Sequence, residues 1–377
     1  MFGLCKRFYK MLRHIFQKFC WPHRTHIQTC DPFYKPRPKR TAGEIAYLKA
    51  NVEPLRVHWI CLQCHQSNTL TGCSEKTNGS STPNKYVEAR SSSNRKSSRV
   101  IVVGDVHGCA QEFHSLLEKV SFVKGDDILV LTGDIIAKGG ESQEALQLAM
   151  ENRAFFVRGN HDWEVLRRRQ RAEPFRDIDF SENATTHDRL AQSLSPSEID
   201  YLASGPHMLY IPGFHSLVVH AAVRYPGILN TTAYEAMHAR NYTLEDHEEK
   251  ASPNVEIVKS GESSLPCISL PECCQTCGHS FSKDADSVNS FFNRASNKKS
   301  PALTEDISDG EAWASLYPVD NENTSLPFVI FGHDARRGLQ KFQNACGIDT
   351  GCAYGKKLTA LILPEKTVVS VEKMRQA

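Results

Sequence analysis

Three stretches decide the fold: VIVVGDVHG at 100–108, DILVLTGDIIAKGG at 127–140 and AFFVRGNHD at 154–162. Each begins with an apolar, β-branched or aromatic run and ends in a glycine-containing turn that carries Asp, His or Asn. Segments with helical periodicity follow, which predicts helices over 110–120 and 142–151. Strands that alternate with helices at this spacing predict βαβ units, an α/β fold with functional groups at the carboxyl ends of parallel strands. The strands predicted are Val100–Val103, Asp127–Leu131 and Ala154–Val157.

Further strands are predicted downstream, and two of them end in histidine. His220 follows the run Leu217–Val219, and His333 follows Phe328–Phe331 in FVIFGHD. The remaining predicted strands are Leu358–Leu363 and Thr367–Val371. Because neighbouring parallel strands bring their ends within about 5 Å of one another, we expect the strand-terminal Asp, His and Asn side chains to converge.

The convergent groups combine hard oxygen donors with imidazoles. This mixture suits Mn²⁺, Fe, Zn²⁺ or another first-row divalent ion better than Ca²⁺. A carboxylate shared by two ions would set them about 3.5–4 Å apart, the distance at which a bridging water attacks phosphorus in line. Taken singly, each motif also has an ordinary explanation: a strand-to-turn corner, a satisfied structural histidine, or a helix N-cap at Asn160 or Asp162. The ordered set within residues 105–162, followed by two strand-terminal histidines, favours the functional interpretation.

Charge divides the 377-residue chain into an arm and a body. Residues 1–100 carry 18 basic and five acidic side chains, a net +13, whereas the rest carries 27 basic and 38 acidic, a net −11. Apolar residues make up 40% and charged residues 23%, which excludes a multispanning membrane protein and a fully disordered chain. The 13 cysteines are too sparse for a small disulfide scaffold, so reduced thiols are expected.

The arm has two predicted parts. Residues 1–22 read as a basic amphipathic helix, suited to an anionic membrane surface through residues 1–20 or to organelle targeting of an otherwise cytoplasmic protein. Residues 23–98 read as a largely disordered, low-complexity basic linker around a short island with Cys61 and Cys64. The island's C-x-x-C pair is half of a zinc site, and Cys274 and Cys277 are a candidate second half, but an ordinary pair of reduced thiols is the favoured interpretation. The catalytic domain is predicted at 99–372, with a polar insertion at about 244–308.

The motifs GDVHG, GDIIAKG, GNHD, VVHAAV around His220 and FGHD around His333 resemble the signature of the calcineurin-like metallophosphoesterases and the phosphoprotein phosphatase superfamily. The run IDTGCAYGKKLTALIL at 348–363 resembles the closing segment of ApaH-like phosphatases, relatives of the bacterial symmetrical diadenosine tetraphosphate hydrolase. The likeness covers about 99–243 and 309–372. It implies a β-sandwich with flanking helices and a pair of divalent metals, Mn, Fe or Zn.

The resemblance also implies roles for individual residues. Asp105 and His107 would hold one metal, Asp134 would bridge both, and Asn160, His220 and His333 would hold the second. His161 would be the general acid, because an imidazole with a pKa near 6.5 can protonate a leaving oxygen near neutral pH. Four cationic side chains are candidates for binding substrate phosphates: Lys138, Arg224, Arg240 and Arg336.

One position departs from the pattern of the superfamily's Ser/Thr phosphatases. Their GDxVDRG motif has an Asp that steadies the catalytic histidine, and here that position is Ala137. Asp162 or Asp105 is therefore expected to orient His161. His187, His207, His215 and His238 fall outside the motifs and are interpreted as structural.

The resulting hypothesis is a two-metal hydrolase of phosphate monoesters or phosphoanhydrides that uses a metal-bridging water. Its partner would be a phosphorylated protein, a nucleotide polyphosphate or capped RNA, and no DNA partner is expected. The alternative is a non-catalytic membrane- or RNA-associated adaptor that keeps the metal site as scaffold.

Overall fold

A computed structural model describes residues 42–50, 53, 55–60, 99–175, 184–225, 227–243, 302–318 and 326–374. The helices in these ranges are α1 Ala42–Ala50, α2 Ala110–Lys119, α3 Ser142–Glu151, α4 Asn160–Phe175, α5 Thr186–Ser193, α6 Pro196–Ser204, α7 Ala233–His238 and α8 Trp313–Leu316. The strands are β1 Val57–Trp59, β2 Val100–Val103, β3 Ile128–Leu131, β4 Phe155–Phe156, β5 Met208–Ile211, β6 Ser216–Val219, β7 Asn241–Tyr242, β8 Leu303–Thr304, β9 Glu311–Ala312, β10 Phe328–Phe331, β11 Gln340–Lys341, β12 Ala345–Gly347, β13 Lys357–Leu363 and β14 Thr367–Glu372. None of these helices combines the length and apolar character that a bilayer crossing needs.

The first large sheet contains the strands that the opening motifs predict. Its order is β14-β13-β2-β3-β4, with β2, β3 and β4 parallel and β13 antiparallel to both β2 and β14. Every residue of β2 and β3 is buried, as expected for parallel strands that are covered on both faces. The predicted βαβ arrangement is therefore present, with α2 between β2 and β3 and α3 between β3 and β4.

The second large sheet supplies the two histidine-terminated strands. Its order is β1-β5-β6-β10-β12-β11, and β6, β10 and β12 run parallel. Val219 at the end of β6 pairs with Phe331 at the end of β10. His220 and His333, which follow these strands, therefore lie at the same edge of this sheet.

One apolar cluster joins the two sheets, and helices cover their outer faces. The joining cluster contains residues of β2 and β3 from the first sheet and of β5, β6 and β10 from the second. A second cluster packs α2 and α3 on the first sheet, and a third packs α7 and α8 on the second. The expectation of a β-sandwich with flanking helices is confirmed.

The folded body begins earlier than the predicted boundary at residue 99. Val57–Trp59, assigned by prediction to the linker, forms β1 and pairs in parallel with β5. The physical reason is burial: Leu55, Val57 and Ile60 are all less than 10% exposed. The predicted helix at 1–22 and the four cysteines of the two C-x-x-C motifs lie outside the described residues.

The predicted polar insertion also ends earlier than residue 308. Leu303–Thr304 forms β8 in a three-stranded antiparallel sheet with β7 and β9. Leu303 is buried there, which anchors this part of the chain to the body. Residues 244–301 lie outside the described part of the chain.

Candidate metal centre

Two sets of ligand atoms meet where the carboxyl ends of the two sheets come together. Asp105, His107 and Asp134 form one set, and Asp134, His220 and His333 form the other, with the ligand atoms of each set within 4.8 Å of one another. The Oδ2 atom of Asp134 lies 3.3 Å from His107 Nε2 and 3.6 Å from His220 Nε2. A single carboxylate therefore belongs to both sets.

Asn160 joins the second set from the start of α4. Its Oδ1 lies 3.1 Å from His220 Nε2. The backbone N–H of the next residue, His161, donates to Asp134 Oδ1 at 2.8 Å, which ties the first turn of α4 to the shared carboxylate. All six predicted metal ligands thus lie in one cluster.

Each of the three candidate-ligand imidazoles has one ring nitrogen within hydrogen-bond distance of a backbone carbonyl oxygen. His107 Nδ1 lies 3.2 Å from the carbonyl of Ile136, and His220 Nδ1 lies 2.7 Å from that of Thr132. His333 uses its other nitrogen, with Nε2 3.0 Å from the carbonyl of His238. An N–H donated to a carbonyl leaves the opposite nitrogen as a lone pair, which is how proteins orient metal-binding histidines.

The imidazoles are held in the neutral form that binds metals. Burial lowers the pKa of His220 to about 4, and it lowers the pKa values of His107 and His333 well below their usual range. After burial, the next cause of the lowered pKa is the positive charge of Lys138 for His107 and the positive charge of Arg240 for His333.

The carboxyl groups show the opposite shift. Burial, followed by the nearby Asp349 and Asp134, raises the pKa of Asp105 well above its usual value, and burial raises the pKa of Asp134 to about 6. The groups of the protein alone therefore do not fully balance the negative charges of Asp105 and Asp134 in this cluster. Neutral imidazoles, an amide oxygen and crowded carboxylates together fit a pair of divalent cations, which would relieve this repulsion.

The backbone at the site is held in conformations that side chains disfavour. His107, Asp134 and His333 have φ values of 49°, 50° and 67°, in the left-handed region. Non-glycine residues in this region cost free energy and cluster at functional sites. Gly332 allows its backbone to lie close to the Asp105 carboxylate, because a Cβ there would collide with Asp105 Oδ1.

The carboxylate of Asp162 accepts hydrogen bonds from backbone N–H groups instead of orienting His161. Oδ1 accepts the N–H of Ile135 at 3.0 Å, and Oδ2 accepts the N–H of Gly159 at 3.1 Å. Burial, followed by the charge of Asp134, raises the pKa of Asp162 to about 7. The prediction that Asp162 orients His161 is corrected: this side chain joins the turn after β3 to the turn before α4.

Asp105 is likewise engaged elsewhere. It accepts Thr132 Oγ1–H at 2.9 Å and the backbone N–H of His333 at 3.0 Å. The ring of His161 instead meets His187, with Nδ1 of His161 2.8 Å from Nε2 of His187.

Two of the four predicted phosphate-binding cations lie at the metal cluster. Lys138 is buried and donates from Nζ to His107 Nε2 at 2.7 Å, and it lies over the ring of Tyr354. Arg240 is half-buried and donates to the carbonyl of His333 at 3.4 Å, and its charge lowers the pKa of Asp134.

The other two do not reach the cluster through a described contact. Arg224 pairs with Glu235 through two hydrogen bonds of 2.5 and 2.9 Å, inside the capping box of α7. This pair engages the guanidinium of Arg224, and phosphate binding by this residue stays a prediction. Arg336 is exposed, and its charge acts on Arg240.

Sequence reasoning missed two residues. Asp349 is buried beside the cluster, where it raises the pKa of Asp105 and its own pKa is raised by burial. It follows β12, a parallel strand of the second sheet, so strand-end logic applied to CGID could have found it. His187 carries no such local signal, because it reaches His161 from a separate helix.

The other three histidines interpreted as structural lie in structural contacts. Arg56 N donates to His207 Nδ1 at 3.0 Å, and His215 Nδ1 lies 2.8 Å from the Tyr210 hydroxyl. The ring of His238 stacks on Tyr234, with centroids 4.1 Å apart.

Comparison with known proteins places this site in a family. The calcineurin-like phosphoesterase family model matches residues 98–337. Symmetrical bis(5'-nucleosyl)-tetraphosphatases are similar along nearly their whole length: that of Haemophilus ducreyi is 27% identical over 292 residues, which is 73% of this chain and 98% of the relative. The enzyme of Aggregatibacter actinomycetemcomitans is 25% identical over 280 residues, covering 70% and 94% of the two chains.

A solved structure agrees with these relatives. The crystal structure of a candidate diadenosine tetraphosphatase is 28% identical, covers 74% of this chain and 95% of its own, and superposes with a TM-score of 0.53. The matched residues include both ligand sets that share Asp134. The chain therefore belongs to the calcineurin-like phosphoesterase family and is a metal-dependent hydrolase.

Proposed function

We propose that this protein hydrolyses dinucleoside polyphosphates at a phosphoanhydride bond with the help of two divalent cations. The observation that carries the proposal is the Asp134 carboxylate, shared by an Asp105–His107 set and a His220–His333 set. This is the ligand arrangement that a two-metal clamp on phosphorus requires.

Six side chains would hold the cations: Asp105, His107, Asp134, Asn160, His220 and His333. When bound, such a pair polarises phosphoryl oxygens and lowers the pKa of water, which supplies the nucleophile. The protein sets the positions of these ligands through left-handed backbone and carbonyl-anchored imidazoles. Lys138 shares the lone pair of His107 Nε2 that a cation would use, so we expect its ammonium to turn away when the cation binds.

His161 is the proposed general acid. Its backbone N–H is bonded to the shared carboxylate, so the side chain starts at the edge of the ligand cluster. With Nδ1 in contact with His187, the Nε2–H of the protonated ring is the proposed proton donor to the leaving oxygen.

Lys138 and Arg240 are the proposed electrostatic clamps for the phosphate chain. Lys138 is buried and Arg240 is half-buried next to the ligand cluster, where a positive charge acts more strongly than it does at an exposed surface. A polyphosphate carries several negative charges, so it gains more from this pair than a single phosphomonoester does.

The choice of substrate class is supported by the relatives. The proteins similar over 94–98% of their own length are named as symmetrical bis(5'-nucleosyl)-tetraphosphatases. The likeness covers 70–74% of this chain, which extends well beyond the metal ligands.

The first experiment tests for hydrolysis itself. With an aryl phosphate and Mn²⁺, we expect turnover by the wild type, loss of metal and activity in Asp134→Asn, and about a 10²–10⁴-fold slower kcat with metal retained in His161→Ala. Inactivity of the wild type with Mn²⁺, Fe²⁺ and Zn²⁺ alike, indistinguishable from both variants, would favour the non-catalytic adaptor. Loss of metal in His161→Ala would show that the proton-donor role is misassigned.

The second experiment ranks substrates. We expect kcat/KM for diadenosine tetraphosphate to exceed that for a phosphoserine peptide and for capped RNA. Arg240→Gln is the diagnostic variant, because it removes charge beside the site and should raise KM for the tetraphosphate more than for an aryl phosphate. A higher kcat/KM for the phosphopeptide would assign the enzyme to phosphoproteins instead, and a higher value for capped RNA would assign it to RNA ends.

A further inference from the structure

We propose that His187 is the positioning residue of His161, orienting its ring for proton transfer. This inference rests on the proposed function and adds a residue to the proposed proton-transfer step. The two rings are nearly parallel, with centroids 5.0 Å apart and an interplanar angle of 26°, and Nδ1 of His161 lies 2.8 Å from Nε2 of His187.

The two carboxylates expected to orient His161 are engaged by other groups. Ala137 stands where a supporting Asp is expected and offers only a methyl group, and the hydrogen bonds of Asp162 go to the N–H groups of the Ile135–Ile136 turn and of Gly159. The carboxylate of Asp105 accepts from Thr132 and from the backbone of His333. His187, in contrast, is 3% exposed and presents an imidazole nitrogen to His161 at hydrogen-bond distance.

The contact selects a tautomer. When His161 is protonated on both nitrogens, it donates its Nδ1–H to Nε2 of His187, whose own proton then lies on Nδ1. The Nε2–H of His161 is the proton that passes to the leaving oxygen, after which the His161 ring is neutral and keeps its proton on Nδ1. An imidazole acceptor thus fixes the ring and the proton-bearing nitrogen, as a carboxylate does, but without adding a negative charge to an already crowded acidic site.

The partner is held in place by two helices that are fixed to each other. His187 lies in the first turn of α5, whose N-cap Thr185 forms a capping box with Asp188. Asp188 also forms an ion pair with Arg168 of α4, the helix that begins with Asn160 and His161. The His161–His187 separation is therefore set by a fixed helix pair rather than by a loop, which suits a positioning role.

Leaving-group dependence separates positioning of a general acid from general destabilisation. The His187→Phe variant keeps a stacked ring and removes the acceptor nitrogen. We expect kcat for phenyl phosphate to fall about 10–100-fold with KM changed less than about threefold, and kcat for 2,4-dinitrophenyl phosphate, whose leaving group needs no proton, to change less than about threefold. His187→Gln, which restores an acceptor, should recover most of the loss.

A double-variant cycle tests whether the two residues act together. The double variant His161→Ala, His187→Phe should be no slower on phenyl phosphate than His161→Ala alone, because a positioning residue has no effect once the positioned group is gone. His215→Asn serves as the control, because it removes a histidine whose described hydrogen bond is to Tyr210. Asn also tolerates the left-handed backbone of position 215. Bound Mn²⁺ should be equal in all of these proteins.

The outcomes distinguish this inference from the proposed function. An inactive wild type would remove the proposed function itself. An active wild type with an impaired His161→Ala, but with His187→Phe unchanged, would overturn only the role of His187. Equal losses of His187→Phe on both aryl phosphates, or additive losses in the double variant, would assign His187 to stability and likewise overturn the inference.

Discussion

At the scale of single residues, the ligand cluster depends on how closely two backbone segments approach each other. Gly332 lies against the Asp105 carboxylate and Thr132, and any Cβ at this position would enter that contact. We expect Gly332→Ala to displace Asp105 and to weaken Mn²⁺ binding about 10–100-fold, measured by calorimetric titration of the metal-free protein.

Gly140 gives the matched control for this prediction. It lies in the turn after β3, and a Cβ there would meet no atom within 4 Å. Gly140→Ala should therefore keep the wild-type affinity for Mn²⁺. If Gly332→Ala bound Mn²⁺ as tightly as Gly140→Ala does, the packing of Gly332 would be irrelevant to the site.

His207 predicts a measurable pH dependence of folding. Burial lowers its pKa to about 3 in the folded protein, whereas an unfolded histidine titrates near 6.5. Its contribution to stability is therefore present above pH 6.5 and is lost as the pH falls towards 3, because the unfolded chain then binds the extra proton. At pH 5 this loss is about 2 kcal/mol.

The check is the difference between wild type and His207→Gln in the free energy of unfolding, measured by urea denaturation from pH 8 to pH 5. The advantage of the wild type should shrink steadily below pH 6.5. Parallel curves for the two proteins would show that His207 is not buried in the neutral state.

The convergence of the six candidate metal ligands could be predicted because each follows a recognisable strand and turn. His187 could not, because its contact with His161 joins two helices and leaves no spacing pattern in the chain. The ion pair of Arg224 with Glu235 is likewise a contact that no motif in the sequence indicates. Pair partners of this kind are decided by tertiary packing.

At the scale of elements, α5 and α6 offer a controlled comparison of two similar helix starts. Each begins with a capping box, formed by Thr185 and Asp188 in α5 and by Ser195 and Glu198 in α6. Thr185→Ala and Ser195→Ala should each destabilise the protein by about 0.5–2 kcal/mol in urea denaturation.

Their effects on catalysis should differ, because only α5 carries His187. Thr185→Ala should lower kcat for phenyl phosphate several-fold, and Ser195→Ala should leave it unchanged at a temperature where both variants are folded. Equal kcat values for the two variants would mean that the start of α5 is not coupled to the site.

Element prediction worked where burial dictates sequence. The runs of β2, β3 and β10 are apolar because both faces are covered, so their bounds were predicted to within one residue. The strand β1 was missed because three residues between polar segments carry little periodic signal, and only its pairing with β5 explains its apolar character.

At the scale of the whole molecule, the candidate metal centre is built by both sheets and by neither alone. Asp105, Asp134 and Asn160 come from the strand ends of the first sheet, whereas His220 and His333 come from the second. The apolar cluster between the sheets therefore sets the distance between the two halves of the site. Substitutions that loosen this cluster should affect metal binding at a distance.

The edge strand β1 makes this dependence testable. A chain that begins at Arg99, the boundary predicted from sequence, lacks Leu55, Val57 and Ile60, which are buried against the second sheet, and exposes the edge of β5. Burial of each such side chain contributes about 1.5–3 kcal/mol, so we expect a lower melting temperature and weaker Mn²⁺ binding than in a chain that begins at Ala42. The measurement is calorimetric melting with and without Mn²⁺. Equal melting temperatures for the two chains would show that β1 is dispensable and that the folded body begins at the boundary the sequence predicts.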